Sequence, residues 1–453
     1  MHIINPATHE VLKEVPTDNS KSIQDKFKRA QLAQKKWQLT SIEERLNHFQ
    51  RFHDLLDENK EELAKTLTQE VGKPLQESFN ELNGARNRIR FFIAHSKKWL
   101  RTEVVNQDGN TTEVLDFDPL GVICNISAWN YPYLVGVNVF IPALIAGNAV
   151  LYKPSEYSTL TGLMIEKYLH QAGIPKDLFT AVMGGAEVGE ELLQLNCNGY
   201  FFTGSYKTGK YIAEKVASKL VPVGLELGGK DPLYVTDNIL DIKKVAQSVA
   251  EGCFYNNGQS CCAVERVYVH ENVYDDFMEH FLSEVKNYKM GNPLEKENQQ
   301  GAVTREMHLN FLDEQVKDAI KKGAKLLCGG QRKTPGNFYE PTVLSEVSHE
   351  MSVMKEETFG PVIGVMKVKT DADAIKLMND TEYGLTASVY CQDIERAKKI
   401  LQEVDTGTSY INCCDRVSPY LPWSGRKHSG LGSTLSYLGI LSFAKPRGWH
   451  IRS

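Results

Sequence analysis

Apolar positions recur at three- and four-residue spacing over 22–38 and again over 42–59, with charges between them. This spacing predicts two amphipathic helices. A third is expected through 75–100, and Ser41 and Glu44 have the spacing of a capping box at the start of the second. Residues 1–100 therefore read as helical scaffold without chemistry of their own. Between Arg101 and Pro119 two extended runs flank Asn106-Gln-Asp-Gly-Asn110, which predicts a β-hairpin. Such a ribbon is marginal in water and must pack on something. From Leu120 the pattern alternates: strands over 122–126, 149–153, 179–182 and 199–202, helices over 160–172, 189–195 and 208–219, and 142–146 on a further helix. Alternation of this kind predicts a parallel sheet covered on both faces, with a ligand crevice at the strand carboxyl ends. A second α/β unit is expected from Asp231 to about Gly432, with strands at 266–270 and 325–328 and helices at 273–288 and 306–322.

A chain of 453 residues exceeds one small core, so two or three domains are expected. The net charge of −5, with signs mixed along the chain, gives no basic stripe for nucleic acid. Nine cysteines with no CxxC pair point to reduced thiols and a cytoplasmic setting, and the histidines show no metal-ligand spacing. The first residues lack the charged and apolar regions of a signal peptide. The uncharged stretch 133–152 is long enough to span a bilayer. Asn138, Pro142, Gly147 and Asn148 interrupt it, and a buried helix leading into a strand is expected instead, with no membrane association.

Two segments carry candidate chemistry. Phe254-Tyr-Asn-Asn-Gly-Gln-Ser-Cys261-Cys262 is an aromatic-to-glycine turn in which Gly258 allows Cys261 to be presented at a defined point. A thiol there is a nucleophile only if something takes its proton or lowers its pKa; otherwise it is a buried, inert cysteine. Upstream, Gly224-Leu-Glu226-Leu-Gly-Gly-Lys230 sets Glu226 among leucines and glycines, an apolar setting that raises a carboxyl toward a useful base.

Together these segments resemble the aldehyde dehydrogenase superfamily, whose signatures are Glu-Leu-Gly-Gly-Lys and Gly-Gln-x-Cys, and the likeness runs along nearly the whole chain. The resemblance implies a Rossmann-type dinucleotide-binding domain (1–100 and 120–227), an α/β catalytic domain (228–432), and an oligomerisation ribbon and tail (101–119 and 433–453). It implies Cys261 as nucleophile, Glu226 as the base that activates water, and Asn130 of Trp129-Asn-Tyr-Pro132 as an oxyanion donor, a role that a neutral amide can fill. NAD, with NADP possible, would be held by Ile126, Trp129, Lys153, Ser155, Glu156, Gly185, Gly189, Phe202, Gly204, Ser205, Leu227, Glu357 and Phe359. Lys153 and Glu156 suit ribose hydroxyls, and the acid there would repel a 2′-phosphate, favouring NAD. The segment Phe202-Thr-Gly204-Ser205-Tyr206 opens a helix whose amides suit a phosphate, although Tyr206 stands where Thr is frequent and no GxGxxG fingerprint is present.

By the same resemblance Tyr131, Val135, Arg416, Val417 and Trp423 border the aldehyde channel, Trp423 standing where Phe is usual. Arg416 suits the carboxylate of a semialdehyde, unless Asp415 neutralises it. Cys262, Cys413 and Cys414 are candidates for oxidation sensitivity. The apolar tail after Leu435 is expected to pair with the hairpin, in a homodimer or homotetramer. The implied activity is oxidation of a small-molecule aldehyde to its acid through a thioester that water hydrolyses. The alternatives are transfer to coenzyme A, which Glu226 argues against, and a binding protein that has lost catalysis.

Overall fold

The computed structural model describes residues 1–453. A mixed α/β fold is built on two sheets that meet at the segment Leu227–Lys230. The first sheet begins in its middle, with Val122–Ile126. The chain steps outward through Ala149–Lys153 to Phe179–Ala181, then returns to the other side for Gly199–Thr203 and Val223–Glu226. All five strands are parallel. The order reverses between Val122–Ile126 and Gly199–Thr203, and at such a switch point the connecting loops diverge and leave a crevice. The short strand Gly430–Leu431, far along the chain, closes this sheet antiparallel to Val223–Glu226.

The second sheet runs Lys325–Cys328, Thr342–Ser345, Val362–Val368, Val264–His270, Asp231–Val235, Thr386–Tyr390, Thr408–Ile411. Only its first strand is antiparallel to its neighbour. Leu233, Val235, Val267 and Val269 pack on one face, and Tyr234, Tyr268, Ala387 and Val389 on the other. Burial on both faces explains the near-continuous apolar strands, which periodicity alone does not separate from buried helix. Arg266, on the strand that follows Cys261, is fully buried. It donates to the carbonyls of Lys230, Leu377 and Met378, so it ties the sheet to the C-terminal end of the helix Asp371–Asn379.

Differences from the pattern-based reading have local causes. Residues 1–14 form a strand pair, His2–Ile4 with Val11–Glu14, too short for periodicity to register. A further helix spans Lys60–Val71. Ser41 accepts the Glu44 amide, but the reciprocal pair of a capping box occurs one helix earlier, at Asn19 and Ser22. The uncharged stretch is the buried helix Pro132–Ile145 followed by the strand Ala149–Lys153. No helix is long and apolar enough to cross a membrane.

The hairpin forms from Glu103–Asp108 and Thr111–Pro119, with Gly109 at φ +57° in its turn. The tail does pair with it: Ala444–Arg452 runs antiparallel to Thr111–Pro119 in unbroken register from Ala444 opposite Pro119 to Arg452 opposite Thr111. The pairing strand is polar and exposed rather than apolar, held by its ladder and by ion pairs such as Arg447–Asp118.

Candidate active site

The helix Ile242–Phe254 ends in a turn where Asn256, Asn257 and Gly258 take φ of 53°, 56° and 70°. Three successive left-handed residues reverse the chain sharply. A Cβ on Gly258 would lie 2.3 Å from the Gly360 carbonyl oxygen. Asparagine tolerates this region when its side chain is bonded locally. Asn256 Nδ2 donates to the Asn130 and Gln259 carbonyls, and Asn257 bridges Ala302 and Gly301. Gln259 in turn accepts the Thr304 amide. The turn is thus fixed on three sides, and Cys261 emerges half-buried at its end.

Cys261 lies between two cavities. One, of about 820 Å³, occupies the switch-point crevice and also touches Asn130 and Glu226. The other, of about 440 Å³, opens on the opposite side of the thiol. Asn130 is 4% exposed; its Nδ2 donates to the Gln259 carbonyl at 3.1 Å, which leaves the second hydrogen of that amide free. Its own carbonyl is clamped by Lys73 Nζ at 2.6 Å and by Asn256. Lys73 also pairs with Glu81 at 2.6 Å, both side chains fully buried, and Glu81 accepts the Tyr133 and Leu134 amides at the start of the helix Pro132–Ile145. A carboxylate at a helix N-terminus is favoured by the helix dipole.

Glu226 ends its strand. Thr434 donates to Oε1 at 2.9 Å, while Oε2 is buried without a protein partner. Burial pushes its pKa up to about 8, against the pull of the Thr434 hydroxyl and the Arg88 charge. A carboxyl so placed can hold or take up a proton near neutral pH.

The larger cavity has the chemistry of a dinucleotide cradle. The helix Tyr206–Val216 begins at Ser205, whose side chain caps no backbone amide, so the first-turn N–H groups remain available to an anion. Lys153 is buried, its Nζ 3.8 Å from Glu156. Glu357 accepts the Gly229 amide and is pushed up to about 8, by burial first and then by the neighbouring Glu265. A Cβ on Gly228 would meet that carboxylate at 2.3 Å. Phe359, at φ 47°, stands edge-on to Trp129 at 5.5 Å. Of the expected cofactor residues, Ile126, Trp129, Lys153, Ser155, Glu156, Gly189, Phe202, Gly204, Ser205, Leu227, Glu357 and Phe359 line this cavity. Gly185 does not: it caps the helix Ala186–Gln194, and its amide is taken by Glu187, which lines the wall in its place.

The profile of the aldehyde dehydrogenase family matches residues 1–447. The chain belongs to that family. A succinate-semialdehyde dehydrogenase [NADP(+)] of Deinococcus radiodurans is 33% identical over 446 residues, covering 98% of this chain and 93% of that protein. A chloroplastic betaine aldehyde dehydrogenase of Beta vulgaris is 31% identical over 473 residues, covering 99% and 94%. An NADP-dependent enzyme of E. coli superposes with a TM-score of 0.97 at 31% identity, over 100% of this chain and 94% of that one. Like its family, the chain is an NAD(P)-dependent oxidoreductase.

The smaller cavity gathers Tyr131, Val135, Arg416, Val417 and Trp423, the residues expected along an aldehyde channel. Asp415 does not pair with Arg416. It accepts the Cys262 thiol at 2.9 Å, and burial lifts it to about 6. Arg416 itself is exposed. Cys262 and Cys414 line the channel, Cys413 does not, and all nine cysteines are free thiols.

Sequence reading missed the first hundred residues as a source of site groups. Glu77, Glu81 and Arg88 lie on the buried face of the helix Leu75–Trp99, and Glu81 and Arg88 line the channel. The signal was present: charged residues four and seven positions apart on a stripe that is otherwise apolar or small. Arg305 and His308, in the cofactor wall, carry no comparable mark.

Proposed function

We propose that Cys261, Glu226 and Asn130 oxidise an aldehyde to its carboxylic acid. The carrying observation is that all three line the larger cavity, with one oxygen of Glu226 left unpartnered and the thiol also open to the smaller one. The Cys261 thiol gives up its proton to solvent, its sulfur attacks the carbonyl carbon, and the carbonyl π pair moves to oxygen. The Asn130 amide and the Cys261 backbone N–H stabilise that charge. Bound in the larger cavity by Lys153, Glu156, Glu357 and the amides after Ser205, the nicotinamide dinucleotide supplies the hydride acceptor. As the C–H bond of the adduct breaks and its pair leaves as hydride, the oxyanion pair re-forms the carbonyl, and a thioester remains on Cys261. Glu226 takes a proton from water, the hydroxide attacks the thioester carbon, and the C–S bond breaks to free the acid.

Glu156, near the expected ribose position, favours NAD over NADP by repelling a 2′-phosphate. The part built on the first sheet is the dinucleotide-binding unit, and the part built on the second presents the thiol. The free edge of Glu103–Asp108 offers a pairing site to a second copy, as expected for a homodimer or homotetramer, and nine free thiols suit the cytoplasm.

The test is reduced-nicotinamide formation over aliphatic, aromatic and charged aldehydes, with NAD and NADP in parallel. Turnover that Cys261→Ala lowers by roughly a thousandfold or more supports the reading; turnover that survives this change refutes it. Turnover only with added coenzyme A would favour acyl transfer instead.

A further inference from the structure

Three ionisable residues share the buried face of the helix Leu75–Trp99. Glu77 accepts the Asn256 amide, and Glu81 is paired with Lys73. Arg88, 6% exposed, forms no salt bridge. Its Nη1 donates to the Leu134 carbonyl and to Asn138 Oδ1, each at 2.9 Å, while Nε and Nη2 donate to nothing in the protein. Those two nitrogens form one edge of the guanidinium, the fork that matches both oxygens of a carboxylate.

The edge belongs to a residue in the wall of the channel that Cys261 shares. No acid of that channel completes it: Asp415 accepts from Cys262, Glu81 is held by Lys73 and two amides, and Glu251 is exposed. The guanidinium lacks a counter-charge, and its free edge is not sealed off in the protein, so the missing charge is one a ligand can bring. The Arg88 charge also acts on Glu226, favouring its ionised form.

We propose that Arg88 is the anion anchor of the channel, and that the preferred substrates are short aldehydes carrying a carboxylate or sulfonate remote from the carbonyl. This rests on the aldehyde-oxidising reading above, and it moves the specificity-determining cation from exposed Arg416 to buried Arg88. Kinship alone does not choose, because relatives named for an anionic and for a cationic aldehyde match about equally well.

Succinate semialdehyde and its neutral monoamide differ in little but the charge. The wild type is expected to favour the anion by roughly 30-fold or more in kcat/KM, as a charge-assisted fork should give. Arg88→Met should bring that ratio to within about threefold, mainly through KM, with Arg88→Lys intermediate because it keeps the charge and loses the fork. A wild-type ratio near one overturns the anchor. So does an Arg88→Met enzyme in which both substrates fall together, which would make Arg88 only a bracket between helices. If Arg88→Met does not fold, the ratio in Arg88→Lys decides, an unchanged value counting against the fork.

A second arm needs neither aldehyde oxidation nor dinucleotide. Alkylation of Cys261 by iodoacetate and by iodoacetamide, followed by peptide mass, should show the iodoacetate rate falling about tenfold relative to iodoacetamide in Arg88→Met. An unchanged ratio overturns the anchor even if the enzyme oxidises nothing. A changed ratio sustains it even then.

Discussion

Glu226 carries the pH behaviour of the proposed reaction. Its pKa of about 8 means that the unprotonated base is scarce at neutral pH. Where hydrolysis of the thioester limits turnover, kcat should rise about tenfold per pH unit below that value and level off above it. Glu226→Gln should leave a single burst of reduced nicotinamide without turnover at any pH, read by stopped flow. Stability follows the same group with its own sign. Because the folded pKa is raised, its contribution is complete below the unfolded value of 4.5 and is lost as pH rises through about 8. Asn130→Ala should lower kcat by about 10²–10³, the range for removing one oxyanion donor. At the cofactor end, Glu156→Ser should shift the NADP/NAD ratio of kcat/KM about tenfold toward NADP by removing the repelling charge.

Individual elements hold these residues in place, and here the sequence was uneven as a guide. The strand-to-helix turn after Phe202 was legible, because a glycine-rich turn after an apolar run has one structural reading. The helix Leu75–Trp99 was legible as a helix, and the spacing of Glu77, Glu81 and Arg88 stood in its sequence, but not which of them reach the site. Its inner stripe holds charges that only tertiary packing reveals as paired or orphaned. Lys73 is the clearest case, reaching across to both Glu81 and the Asn130 carbonyl from outside any predicted element. Lys73→Met leaves Glu81 buried without its cation and should cost about 3–5 kcal/mol of stability. Lys73→Met with Glu81→Gln should recover part of that in thermal denaturation, while the oxyanion loop, still unclamped, keeps kcat low.

Across the whole molecule, the family likeness supplied what local pattern could not. Periodicity marks two of the seven strands in the second sheet, since buried parallel strands lack alternation, and their order depends on pairings across more than a hundred residues. Nothing in the sequence joins Arg305 and His308 to the cofactor cavity; the packing of the two halves does. The ribbon was legible through its turn, while its partner strand in the tail pairs through backbone and charge rather than through the expected apolar surface.

The proposed reaction passes through a covalent intermediate at one sulfur. The most direct measurement is intact and peptide mass spectrometry of Glu226→Gln mixed with NAD and a substrate aldehyde, then quenched in acid. An acyl adduct on the peptide bearing Cys261, dependent on NAD and absent from the Cys261→Ala, Glu226→Gln double variant, is the predicted result. An enzyme that oxidises the aldehyde while Cys261 stays unmodified, or that carries the acyl group on another residue, would contradict it.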